Sequence, residues 1–245
     1  GVLNTDNVTI SGETIDYGPC AFMDEYDPAT VFSSIDHGGR YAYANQAPIM
    51  QWNLARLAET LLPLIDDDVD AAVERVTAVL RTFPDRYDAH RDAAMAAKIG
   101  LDGSVADAGT FVDDLLALLH AQRVDFTSAF RSLSSLLRGD PAPARALFAQ
   151  PAGFDEWAGR WLDVVKARPG SLDAISTSMD GVNPLYIPRN HLVEHALTAA
   201  TDGDLGSFER LLDVLARPFT ERPGLDEFTT PAPPDFGPYR TFCGT

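Results

Sequence analysis

Lysine and cysteine are almost missing from this sequence. The two lysines are Lys98 and Lys166, and all bases together number 19 against 36 acids, a formal net charge of −17. A protein that grips a nucleic-acid backbone needs a basic stripe, so that class is excluded. An acidic, well-solvated surface accounts for the charge. The two cysteines, Cys20 and Cys243, are too few for a disulfide scaffold. No apolar run approaches the ~20 residues of a membrane span. No G-x-G-x-x-G or Walker phosphate loop occurs anywhere in the chain. No fixed-period repeat is present, which excludes a solenoid.

What is present is ordinary globular composition, 45% hydrophobic and 22% charged over 245 residues, enough to bury a sizeable core. We read it as one mainly α domain. Met50, Leu54, Leu57 and Leu61 step at helical spacing from about Pro48 until Pro63 interrupts them. Asp66-Asp67-Asp68 reads as a solvated helix start, with Val69, Val73, Val76 and Leu80 continuing the helix. Further helices are predicted over 85–99, 105–121 and onward from Asp125 as a cap, the last carrying Phe126, Phe130, Leu133 and Leu137. Phe154, Trp157, Trp161, Val164 and Val165 form another stripe, expected to be core. A short helix over 171–182 follows, then Ile187-Pro188-Arg189-Asn190 capping a helix from His191, and a last stripe ending at Leu215. Arg189 and Asn190 are expected to orient the fold's interior or the segment 19–47. Roughly seven to nine helices are predicted in all. After Pro218 the Pro-rich tail is expected to be extended.

The most informative stretch is the first eighteen residues. The protein-kinase catalytic loop reads H-R-D-L-x-x-x-N, followed after a hairpin by D-F-G. On that template Gly1 takes the Arg place, Val2 the place of the base Asp, Leu3 matches, and Asn7 is the metal-binding Asn. Val8–Ile10 and Glu13–Ile15 are predicted as two short strands turning at Ser11-Gly12, and they lead to Asp16-Tyr17-Gly18. Magnesium prefers oxygen ligands and takes only one or two from protein. The amide oxygen of Asn7 and the carboxylate of Asp16 are therefore the candidate ligands. Val2 cannot accept a proton, and Asp6 is the nearest candidate replacement.

The run G-V-L-N-T-D-N…I-D-Y-G-P, with E-Y-D-P, D-H-G-G-R-Y-A-Y-A-N-Q and W-N-L-A-R-L-A-E-T-L, resembles the SelO family, selenoprotein-O-like pseudokinases that act as protein adenylyltransferases. Asn183-Pro-Leu-Tyr-Ile-Pro-Arg-Asn190 and the terminal Cys243-Gly-Thr245 extend the resemblance. It implies a kinase-like C-lobe with a short N-terminal β-hairpin, helical additions and an extended tail. Residues 1–18 would be the catalytic loop and metal hairpin, 19–47 an activation-segment-like loop, 48–217 the helical region and 218–245 the tail. The resemblance implies transfer of AMP from ATP to Ser, Thr or Tyr hydroxyls of proteins. Asp6 would be the proton acceptor, Asn7 and Asp16 the ligands of Mg²⁺ (or Mn²⁺), and Asp16 would also lie near the nucleotide. It further implies a cytoplasmic location in a bacterium, or a mitochondrial one in a eukaryote. The N-lobe that grips phosphates is expected to be a missing partner segment, so that the 245 residues alone would be inactive.

Two alternatives remain open at the sequence level. Cys20 and Cys243 are either unrelated thiols or one redox-sensitive pair pinning the tail, and the family resemblance implies redox control by a C-terminal Cys or selenocysteine. The chain is either part of an enzyme or a non-catalytic pseudokinase fragment, a helical binding module. His37 beside Asp36 is read as a turn residue. His191 and His195 share a helix face, but H-L-V-E-H lacks the zinc motif's inner Glu and a third ligand.

Overall fold

The computed structural model describes residues 2–13, 20–103, 105 and 107–242. The chain is mainly α-helical, and it divides into two compact units. Residues 1–20, 28–91 and 240–245 make the first unit; residues 21–27 and 92–239 make the second.

The first unit is built on α1 (Gln46–Ile65) and α2 (Val69–Leu80), packed together, with the beginning of α3 (Phe83–Lys98). Pro63 does not interrupt α1 as expected; the helix continues through it to Ile65. The proline sits in the last turn, where only one helical hydrogen bond is forfeited before the helix ends anyway. Asp68 caps α2 as the acidic triplet predicts, with Oδ1 accepting the Asp70 N–H at 2.9 Å and the Ala71 N–H at 3.4 Å. The first arm of the expected hairpin is corrected: Val8–Ile10 is not a strand. The turn itself is present. Gly12, at φ 73°, donates its N–H to the Thr9 carbonyl at 3.3 Å. The Thr9 hydroxyl donates to the Glu13 carbonyl at 2.9 Å, so local side-chain bonds replace a ladder here. The second arm, Glu13–Ile15, runs beyond the described residues.

The second unit contains α4 (Ala108–Gln122), α5 (Phe126–Leu137), the short α6 (Ala142–Arg145), α7 (Ala152–Ala167), α8 (Leu172–Val182), α9 (Asn190–Thr201) and α10 (Gly206–Leu215). Helix α4 packs on α7, α5 on α6 and α8, and α9 on α10. The aromatic stripe of α7 is core. Phe148, Phe154, Trp157 and Trp161 stack in sequence, with centroids 4.5, 5.9 and 5.4 Å apart. Burying an indole leaves its N–H to be satisfied. Trp157 donates to the Phe111 carbonyl at 3.0 Å and Trp161 to the Ile99 carbonyl at 2.8 Å. A smaller cluster joins Tyr186, Ala196, Leu211, Val214 and Phe228. Residues 218–242 contain no α-helix; two 3-10 turns, Asp226–Phe228 and Pro234–Phe236, are linked by other turns and irregular chain.

The two units differ in how much they bury. Among the described residues of the first, Ala42 and Ala72 are the only fully buried apolar side chains. Leu57, Leu61, Leu64, Val69, Val73 and Val79 are exposed.

Candidate functional site

The segment that carries Asp6 and Asn7 is a single 3-10 turn, Thr5–Asn7. Asn4 enters it extended, and the Asn7 N–H donates to the Asn4 carbonyl at 3.0 Å. The Asn7 side chain folds back on the main chain, its Nδ2 donating to the Val2 carbonyl at 3.1 Å. The donor end of the amide is thereby committed, which leaves Oδ1 as the end that accepts or ligates. Asp6 and Asn7 are both exposed. Val2, in the place of a kinase base, contributes a carbonyl anchor and no proton acceptor.

Two side chains from later in the first unit hold the approach to this turn. Asn53, buried on α1, donates Nδ2 to the Leu3 carbonyl at 2.9 Å. The Tyr41 hydroxyl donates to Asn4 Oδ1. Tyr41 is in turn fixed by its own loop. The Asp36 carboxylate accepts the Arg40 and Tyr41 N–H groups at 2.8 Å each, and Gln46 Nε2 donates to the Tyr41 carbonyl at 2.7 Å. Gly39 adopts φ 66° inside that loop. D-H-G-G-R-Y is thus a closed turn organised by Asp36. His37 is exposed in it, with its N–H donating to Ile35. Arg40 lies over the Trp52 ring at 4.9 Å, and Arg56 lies against the same ring at 5.4 Å.

Asp16, the expected second metal ligand, and Cys243, the expected partner of Cys20, lie outside the described residues. Cys20 is exposed.

The second unit has a polar centre of its own. Arg189, wholly buried, donates to Asp24 Oδ1 at 2.5 Å, to Asp125 at 2.5 and 3.0 Å, and to the Thr229 carbonyl at 3.0 Å. Burial works against its charge, but the hydrogen bonds and attraction of Asp125 and Asp24 outweigh this and raise its pKa. Asp125 also caps α5, accepting the Ser128 N–H at 2.7 Å. Asn190 accepts the Phe22 N–H at 2.9 Å and returns its own N–H to the Phe22 carbonyl at 2.8 Å. Arg189 and Asn190 therefore orient the interior of this unit and hold residues 22–24. His191 has its pKa lowered, first by burial and then by Arg189, with Asp24 opposing. His195 meets the Ser207 hydroxyl at 3.3 Å. Among the described residues no three His, Cys, Asp or Glu side chains gather as a metal cluster, so the histidine pair has no third ligand there.

Asn53, Tyr41 and Asp24 were not singled out by sequence reasoning. Asn53 had the one available signal, a polar residue set in an otherwise apolar helical stretch, Trp52-Asn53-Leu54. The first unit also carries a groove of about 690 Å³ between α1, α2 and the start of α3, lined by Leu54, Leu61, Val76, Val79 and Tyr87 among others.

Comparison with known proteins adds the following. The family described as "Protein adenylyltransferase SelO" matches residues 1–216. Relatives named "Protein nucleotidyltransferase YdiU" align over the whole chain. That of Mycolicibacterium smegmatis is 57% identical over 249 residues, covering 100% of this chain and 48% of the relative. That of Mycobacterium sp. strain KMS is 56% identical over 246 residues, covering 100% and 50%. That of Rhizobium etli is 52% identical over 248 residues, again covering 100% and 50%. The chain spans about half the length of these curated relatives.

Proposed function

The chain belongs to the SelO protein adenylyltransferase family, and from that premise we propose that it serves the Mg²⁺-dependent transfer of AMP from ATP to Ser, Thr or Tyr hydroxyls of proteins. The observation that carries the proposal is the Asp6-Asn7 turn, in which Asn7 spends its amide nitrogen on the Val2 carbonyl and keeps its oxygen as the accepting end, next in sequence to the exposed Asp6.

The donor set fits the ion. Amide and carboxylate oxygens are the hard ligands that magnesium takes from protein. Asn7 Oδ1 and the Asp16 carboxylate would hold it, and the bound ion would neutralise polyphosphate charge. Asp6 would accept the proton of the attacking hydroxyl. The hydroxyl oxygen forms a bond to the α-phosphorus, the bond from that phosphorus to the bridging oxygen breaks, and pyrophosphate leaves. Such transfers depend chiefly on positioning and charge neutralisation, so an exposed carboxylate suffices. In this reading the chain is a kinase-like C-lobe with helical additions, and 19–47 takes the place of an activation segment. Cys20 and Cys243 would form a redox-sensitive bridge.

The uncovered apolar face of α1 and α2 supports a partner. We infer that it packs against a segment equivalent to the half of the relatives that this chain does not span, and that this segment supplies the phosphate grip. The same face favours a second reading, a non-catalytic helical binding module.

The test is labelling of protein by ATP carrying the label at the α or the γ phosphate, with Mg²⁺, in the presence of the complementary half of the M. smegmatis relative. Label from the α position alone supports AMP transfer. Label from the γ position makes the protein a kinase. Stable association without either label supports the binding module. Asn7→Ala and Asp6→Ala should each abolish α-labelling, and retained labelling in both would sink the assignment.

A further inference from the structure

The Asp6-Asn7 turn has few bonds of its own. It is three residues long, lies exposed, and is held from within by the Asn7 N–H to the Asn4 carbonyl and the Asn7 side chain to the Val2 carbonyl. The hydrogen-bond geometry of a 3-10 turn is poorer than that of an α-helix, so outside supports matter. Two side chains from outside the turn supply them. Asn53 reaches from α1 across fifty positions of sequence to the Leu3 carbonyl. Tyr41 reaches from the loop closed by Asp36 to Asn4 Oδ1. They act on consecutive residues, immediately ahead of Thr5.

The energetics of Asn53 are unusual. Its Oδ1 is buried and has no hydrogen-bond partner among the described residues. An orphaned buried acceptor costs about as much as one made bond returns, or more. Asn53 therefore contributes little to folding on balance. A leucine of similar reach would remove the orphan on Asn53 and create one on Leu3, an exchange close to neutral. A residue that barely helps the fold, yet fixes the main chain next to Asp6 and Asn7, is a residue that acts on the site.

We propose that Asn53 and Tyr41 are positioning residues for the metal-binding and hydroxyl-activating turn, a role that rests on reading Asp6 and Asn7 as that site. They hold Leu3 and Asn4 so that Asn7 Oδ1 and the Asp6 carboxylate keep one arrangement. Supporting residues of this kind typically contribute 10–100-fold to metal affinity or activity.

The test uses this chain together with the complementary half of the M. smegmatis relative, with Mn²⁺ as the probe. Mn²⁺ affinity is read by electron paramagnetic resonance and melting temperature by calorimetry. AMP transfer is separated into kcat and the KM for protein substrate. Asn53→Leu and Tyr41→Phe should each weaken Mn²⁺ binding about tenfold or more, lower kcat with little change in KM, and leave the melting temperature nearly unmoved. Tyr41→Phe keeps the ring beside Arg40 and loses only the hydroxyl, so it serves if Asn53→Leu fails to fold. The double variant should lose less than the product of the two single losses, because both act on one turn. Asn7→Ala is the control for the site itself. If Asn7→Ala binds Mn²⁺ like the wild type, the site reading fails. If Asn7→Ala loses Mn²⁺ while Asn53→Leu and Tyr41→Phe bind normally, the positioning role alone fails. Loss of affinity only in parallel with loss of melting temperature would also overturn it, since a purely structural role predicts that.

Discussion

Replacing Arg189 with methionine should unfold the second unit more readily than any exposed substitution in the chain. The wild-type guanidinium is fully buried and answers two carboxylates, of which Asp125 is 5% exposed and Asp24 18%. Methionine fills similar volume but leaves both acids without a counter-charge. Removing one partner of a buried ion pair costs about 3–5 kcal/mol. The lower end is expected, because each acid keeps another partner: Asp125 the Ser128 N–H at 2.7 Å, and Asp24 the Ala232 N–H at 3.2 Å. For a unit of this size about 3 kcal/mol lowers the melting temperature by about 6–12 °C. Urea titration followed by tryptophan fluorescence would measure it, since Trp157 and Trp161 report from the same unit. A loss below about 1 kcal/mol would refute the account of Arg189 as a buried, doubly paired charge.

Other perturbations have equally definite outcomes. Gly100→Ala should destabilise by at least about 1 kcal/mol, because Gly100 sits at φ 68° and an added Cβ would lie 2.7 Å from Met179 Sδ and 2.8 Å from Ile175 Cγ2; thermal denaturation checks it. Asp68→Ala removes the α2 cap and should cost about 0.5–2 kcal/mol, visible as earlier loss of helical circular dichroism. His191 has its folded pKa lowered by burial and by Arg189. Its unfolded value is near 6.5, so the unfolded chain binds the proton first. Its contribution to stability is complete above that value and is lost as pH falls through it towards the folded one. His191→Gln should flatten the stability slope in that window, and an unchanged slope would exclude His191 as its source.

Much of the helical layout could be read from spacing alone. Asp68 and Asp125 cap the helices their positions suggest, and the α7 aromatics are core because their 3.6-residue period places them on one face. Proline at 63 misleads because its cost depends on position within the helix, which composition does not reveal. Val8–Ile10 misleads because β-branched residues favour a strand only where a partner strand is available. In the described structure Thr9 and Ser11 satisfy the local backbone instead. The partners of Arg189 and Asn53 were not legible for a different reason. Asp24 lies 165 positions from Arg189, and Leu3 lies 50 from Asn53. Periodicity has no term for such distances. The Leu3 carbonyl, moreover, is a main-chain group that every residue type would supply.

That last point has an evolutionary counterpart in the Asn190–Phe22 pair. Asn190 takes both main-chain groups of residue 22 and none of its side chain. This contact therefore does not itself constrain the side chain at position 22. Position 190 must keep a short side chain with one donor and one acceptor at a fixed spacing, which asparagine alone provides. The two ends of one contact carry opposite mutational tolerance.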